Sequence, residues 1–202
     1  FALLTINDST ILAGGNATGY PYTTLFISTD KGSTWNHTDL DSSNVNCLSS
    51  NGTIFYAGTY NRGVYKSSNG VNWTRTSLDN RGIYSLAALG SYVFAGTFEF
   101  GVYRSTNYGT TWTQTTLNNR NISALTIKDS NIFAGCTTAN GISEGVYMST
   151  FNGSTWLQKN QGFNNPIPHI NAFLITNNYI FAGSDGVWRR SYIEAIGIQK
   201  IN

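Results

Sequence analysis

The chain has 202 residues, room for one or two ordinary domains with a substantial core. Only 11% of them are charged, 14% are aromatic and 21 are glycine, a profile of short strands and tight turns. The net charge of +2 comes without a Lys/Arg run, which disfavours nucleic acid, and no apolar run approaches the ~18 residues of a membrane-spanning helix.

The chain begins at Phe1 without Met, as a processed product or an excerpt would. Five segments then align without a gap over fourteen positions: FALLTINDSTILAG from Phe1, VNCLSSNGTIFYAG from Val45, IYSLAALGSYVFAG from Ile83, ISALTIKDSNIFAG from Ile122 and INAFLITNNYIFAG from Ile170. Each reads as strand, polar turn, strand, with turn pairs such as Asp8-Ser9 and Asn51-Gly52 that suit tight hairpins. A third strand follows each copy: TLFIS, GVYKS, GVYRS, GVYMS and GVWRR. After the first four comes a turn ending in Trp: STDKGSTW, SSNGVNW, STNYGTTW and STFNGSTW. A fourth strand is expected to begin at that Trp.

Four antiparallel strands every ~40 residues make the blade of a β-propeller. The sequence therefore predicts an all-β, five-bladed propeller with blades at about 1–43, 44–82, 83–121, 122–169 and 170–192. The last blade lacks the Trp turn. Trp188 falls instead in the third-strand column of Phe26, Tyr65, Tyr103 and Tyr147. Residues 193–202, IEAIGIQKIN, alternate at Ile196 and Ile198 and are expected as a terminal strand. That strand either folds back to complete the last blade or pairs with a neighbouring chain.

The Ser-x-Asp-x-Gly-x-Thr-Trp turn and the GVYxSxNxGxxW idiom resemble the BNR/Asp-box propellers, as found in large secreted bacterial proteins. The resemblance covers the chain to about Tyr192, and its ending resembles the point where such propellers precede a C-terminal sorting domain. It implies that the box closes the outer hairpin of each blade, away from the axis where ligands bind. Turn roles then fall to Asp30, Gly32 and Trp35; Asn69, Gly70 and Trp73; Asn107, Gly109 and Trp112; and Gly153 and Trp156. Only Asp30 keeps the acid, and Asn makes the same turn bonds without being able to do acid catalysis. Sialidase chemistry, as the family implies it, needs an arginine triad, a Tyr–Glu pair and an acidic Asp. The inner strands carry no such set, and three of the arginines sit in the repeated Asn-Arg pairs at Arg62, Arg81 and Arg120. No catalytic residue is assigned, and the chain is expected not to be an enzyme.

No cofactor or metal is expected. His37 and His169 lie far apart, and Asp30, Asp39 and Asp41 read as solvated loop acids rather than a calcium site. Cys47 and Cys136 occupy small-residue columns on blades that are not neighbours, which predicts free, buried thiols. Seven Asn-x-Ser/Thr sequons, at Asn7, Asn16, Asn36, Asn51, Asn72, Asn121 and Asn152, are candidate glycosylation sites, close to the number that chance gives in this composition.

Two loop sets are expected to share one face, bringing Tyr22, Tyr60, Arg62, Arg81, Phe98, Glu99, Phe100 and Arg120 forward as candidate binding residues. Few Lys and Glu against much Asn, Ser and Thr lean toward an extracellular or cell-surface location. The expected function is a non-catalytic scaffold for protein interaction or assembly. A glycan-binding propeller, a filament subunit joined through the terminal strand, and a degenerate glycoside hydrolase are its alternatives.

Overall fold

The computed structural model describes residues 2–15, 24–40, 44–150, 153–163 and 165–196. Contacts divide the chain into two units, Phe1–Ala95 with Arg104–Thr113, and Gly96–Tyr103 with Gln114–Asn202.

Among the described residues, all secondary structure but one short helix is antiparallel sheet. The first sheet runs β1 (Ala2–Thr5), β2 (Ile11–Gly14), β3 (Leu25–Ser28) and β4 (Asn36–His37) in order. The second repeats that order with β5 (Val45–Ser50), β6 (Phe55–Thr59), β7 (Val64–Ser67) and β8 (Thr74–Arg75). The third holds β9 (Ile83–Leu89), β10 (Tyr92–Thr97), β11 (Val102–Ser105) and β12 (Thr113–Gln114). The fourth holds β13 (Arg120–Lys128), β14 (Asn131–Thr138), β15 (Ser143–Thr150) and β16 (Leu157–Gln158). The fifth has three strands among the described residues, β17 (Ala172–Ile175), β18 (Tyr179–Gly183) and β19 (Val187–Ser191), followed by the helix α1 (Tyr192–Ile196).

The repeated columns become the core. Leu12, Tyr56, Phe94 and Phe133 share one column and are essentially solvent-free, whereas Phe181, the fifth of that column, is half-buried; Val45, Ile83 and Ile122 of the first strands, and Ile170 just before β17, are solvent-free too. In the first unit, Leu12, Leu25, Ile27, Leu40, Phe55 and Trp73 form one cluster. In the second, Phe133, Val146, Met148, Ile170, Ile180 and Tyr192 form its counterpart.

The Trp turns depart from expectation in one respect. The fourth strands are two residues long and start after the Trp, not at it. The indole folds back over its own turn instead. Trp35, Trp73, Trp112 and Trp156 each donate Nε1–H to the carbonyl of Gly32, Gly70, Gly109 and Gly153, at 3.1 Å in all four. Only Trp73 is fully buried, at 9% exposure; Trp112 and Trp156 are half-buried, and Trp35 is 40% exposed.

Inside the turns, the acid or amide does backbone work. Asp30 Oδ1 accepts the Thr34 N–H at 2.8 Å, as Asn69 accepts from Asn72 and Asn107 from Thr111, both at 2.9 Å. The preceding serine hydroxyl, Ser28, Ser67 or Ser105, accepts the glycine N–H at 2.9 Å in each. The fourth turn differs: Gly153 N–H goes to Thr150 O, and the buried Ser149 hydroxyl has no partner among the described residues. Asn152 lies outside those residues.

Hydrogen bonds from the Thr34 hydroxyl and backbone, then from Ser28, hold the Asp30 carboxyl down to about 2 from an ordinary 3.8. A lowered folded-state pKa gives stability that is complete above pH 4 and fades as pH falls through 2. An acid titration followed by NMR should show that dependence in the first turn, and Asp30→Asn should abolish it while keeping the turn, as Asn69 and Asn107 do.

The terminal strand expected from Ile193 is not what the described residues form. Residues 192–196 are helical, and 197–202 lie outside the description. The cause is Tyr192. Its N–H is donated to Asn178 O at 2.8 Å, its hydroxyl to Lys128 O at 3.0 Å, and its ring lies 6.3 Å from Phe133. Tyr192 and Ala195 thereby rest on Phe133 and Met148, where the second sheet's Trp turn rests on Leu12 and Ile27 in the first unit. The helix stands in for the missing turn.

Both cysteines are free, Cys136 buried and Cys47 half-buried, and burial pushes both thiols far above their ordinary range.

Candidate functional site

In the first unit, the β6–β7 connection carries Tyr60 and Arg62. Tyr60 is 56% exposed and donates its N–H to Asn44 O, while Thr59 Oγ1 accepts the Arg62 N–H at 3.1 Å. Arg75 Nε donates to Arg62 O at 3.0 Å, and Gly63 N–H to Arg81 O at the same distance. Arg81 turns one guanidinium N–H onto Asn80 O. Burial, and secondarily the charge of Tyr60, pushes the Tyr84 phenol up.

In the second unit, the β10–β11 connection presents Phe98-Glu99-Phe100. Glu99 adopts a left-handed φ of 66°, and its N–H is donated to Asn121 Oδ1 at 2.8 Å. Gln114 Nε2 donates to Phe100 O at 2.6 Å, and Gly101 N–H to Arg120 O at 2.9 Å. The backbone is pinned at three points, yet Phe98 and Phe100 remain 46% and 40% exposed. Arg120 is committed inward. It grips both oxygens of Glu144, at 2.6 and 3.2 Å, caps Asn118 O and lies 5.3 Å over the Tyr147 ring. Tyr22 lies outside the described residues.

Several other sequence candidates are occupied as well. Asp39 Oδ1 accepts the Trp73 N–H at 2.6 Å, and no three His, Cys, Asp or Glu cluster as a metal would need among the described residues. Of the sequons, Asn51 and Asn121 spend the nitrogen a glycan would use on Gly90 O and Thr138 O, and Asn7 serves its own turn through Oδ1. Asn36 and Asn72 are exposed, and Asn16 lies outside the described residues.

A further feature was not expected: a cavity of about 350 Å³ in the second unit, between the fourth and fifth sheets. Val146, Lys159, Phe163, Phe173, Ala182 and Trp188 are among its walls. The Phe163 and Trp188 rings meet edge-on at 5.3 Å, and Trp188 Nε1 is buried with no hydrogen-bond partner among the described residues. The signal lies in the fourth-strand column. Thr38-x-Leu40, Thr76-x-Leu78 and Thr115-x-Leu117 are buried in the first three sheets, but the fourth has Lys159-x-Gln161. The backbone role is unchanged, since Lys159 N–H still reaches Val146 O as Thr38 N–H reaches Leu25 O.

Comparison with solved structures places this architecture. YCF48 bound to D1 peptide superposes with a TM-score of 0.66 at 16% identity over 94% of this chain. A GH74 xyloglucanase from Xanthomonas campestris gives 0.68 at 14% over 89%, and BamB from Moraxella catarrhalis 0.65 at 16% over 94%. The fold is a β-propeller. The chain spans 63%, 34% and 56% of those three chains, respectively. No family model and no curated protein matches it. Among the described residues no helix is long and apolar enough to cross a membrane.

Proposed function

We infer that this propeller is a non-catalytic binding module for other proteins, working outside the cell or at its surface, and that it belongs with the Asp-box propellers. The observation that carries the reading is the Phe98-Glu99-Phe100 tip: two exposed aromatic rings on a backbone already fixed by Asn121, Gln114 and Arg120. Preordered aromatic side chains lose little freedom on docking, which is why they anchor protein interfaces. The peptide held by YCF48 supports such a role for a fold of this kind. The Asp-box reading is supported by three turns whose Asp or Asn, Ser, Gly and Trp make the same bonds.

Against catalysis stands the use of the acids. Asp30 is spent in its turn, Asp39 on Trp73, and Glu144 on Arg120. The test is photo-crosslinking from position 98, against the extracellular proteins of the producing cell. One saturable protein adduct is expected, lost in Phe100→Ala. A hit on a glycan array that disappears in Phe98→Ala would transfer the tip to sugar binding. Hydrolysis sensitive to Glu99→Gln would restore the glycosidase alternative, and fibres under the microscope the filament.

A further inference from the structure

The cavity in the second unit has a filled counterpart in the first. There, Leu25, Ala57, Leu48 and Tyr65 belong to the same packed cluster as Leu40 and Trp73. By column, the same positions in the second unit are Val146, Phe173, Ala182 and Trp188. Gln161 replaces Leu40 and lies exposed, and residues 192–202 contain no Trp turn that would supply a second Trp73. Helix α1 covers Phe133 and Met148 but leaves this outer part open.

The vacancy lies beside a sheet that has three strands among the described residues. In the first, second and fourth sheets the third strand pairs with a fourth at two positions, Phe26 and Ile27, Tyr65 and Lys66, Tyr147 and Met148. The matching positions in the fifth are Trp188 and Arg189, and among the described residues β19 pairs with β18 alone. The surroundings are also basic. Lys159, Arg189 and Arg190 line the cavity, and no carboxylate pairs with any of them among the described residues. Arg190 bonds Gln161 Oε1 at 3.1 Å, and Arg189 stacks 4.8 Å over Tyr179. Buried Trp188 Nε1 needs an acceptor.

We propose that the cavity and the edge of β19 that no described strand covers form one peptide-docking site, taking an extended acidic segment of another protein. The segment adds as a fourth strand antiparallel to β19. A large aromatic side chain enters the outer space left where Gln161 stands in place of Leu40, a carbonyl of the segment accepts from Trp188 Nε1, and its carboxylates meet Lys159 and Arg190, which shares the face of Trp188. Backbone pairing supplies affinity and the cavity and cations supply selectivity. The site is separate from the aromatic tip and does not depend on it.

The test uses the whole chain and a fluorescein-labelled peptide of about eight residues, long enough for one strand. A tryptophan is followed by alternating valine and glutamate. Anisotropy should show saturable binding that weakens about tenfold when lysine replaces the glutamates. Proline within the strand should abolish it. Lys159→Thr restores the residue of the other three sheets, so it should fold normally yet bind about tenfold more weakly. Trp188→Phe keeps the ring and should cost several-fold. The Phe98→Ala/Phe100→Ala variant should bind as the parent does, which separates this site from the aromatic tip. No binding, or binding indifferent to charge and to both cavity variants, overturns the proposal. Binding that appears only after residues 197–202 are removed would assign the site to the chain's own end and overturn the proposal as well.

Discussion

Replacing Gly63 by alanine should destabilise the protein by more than about 4 kcal/mol, enough to unfold a marginal domain. Gly63 opens β7 at a φ of 75°, where an L-residue is already strained. The decisive problem is space. A Cβ there would stand 1.8 Å from the Leu78 carbonyl oxygen and 2.6 Å from the Asp79 Cα. Both are backbone atoms, held in place because Val64 N–H donates to that same Leu78 oxygen at 2.9 Å and Gly63 N–H to Arg81 O at 3.0 Å. No rotamer change relieves the clash. Gly52 supplies the control. Its φ is 92°, but nothing lies within 4 Å of its would-be Cβ, so Gly52→Ala should cost only about 1–2 kcal/mol. Urea denaturation of the two variants separates conformational strain from collision; equal losses would mean that the chain around Leu78 yields easily.

The second large effect is expected at Trp73. Truncation to alanine should cost about 3–5 kcal/mol, because the indole fills the cluster of Leu12, Ile27, Leu40 and Phe55 and leaves a hole that these side chains cannot close. The indole's hydrogen bond to Gly70 O goes with the ring, whereas the backbone N–H accepted by Asp39 Oδ1 is kept in the alanine variant. Trp35→Ala, in the same motif position, should cost about 1 kcal/mol, since that ring is 40% exposed and packs mainly on its own turn. The same denaturation experiment reads both. A Trp35 effect as large as that of Trp73 would show that the turn itself, not its packing, carries the energy.

The contrast between these two tryptophans marks what could be read from the residues. The columns were legible because strands alternate faces with a period of two and the repeats align without gaps, so Leu12, Tyr56, Phe94 and Phe133 share one burial environment, which Phe181 in the fifth sheet only half reaches. The glycines and the Asp or Asn of the turns were legible through their backbone preferences. Burial of an individual Trp was not, because it depends on what the adjacent sheet presents: Leu12 and Ile27 face Trp73. The end of the chain misled for a related reason. Ile196 and Ile198 suggest alternation, but Tyr192 has distant partners in Lys128 and Asn178 that anchor a helical turn instead. Arg120 looked like a binding residue from its place in a loop, whereas Glu144, twenty-four positions later, engages it. The cavity was written in the sequence as Lys159-x-Gln161 against three Thr-x-Leu copies, but the substitution gains meaning only once its neighbour is seen to lack a Trp turn.

Each indole-to-glycine bond ties a knot between residues three positions apart. Such short closures cost little chain entropy and form early, before distant strands meet. Four copies of one local seed therefore lie along the chain, any of which can start the growth of its own sheet. Damage to one seed should leave the rate of folding nearly unchanged even where it lowers the final stability: kinetic redundancy comes with repetition.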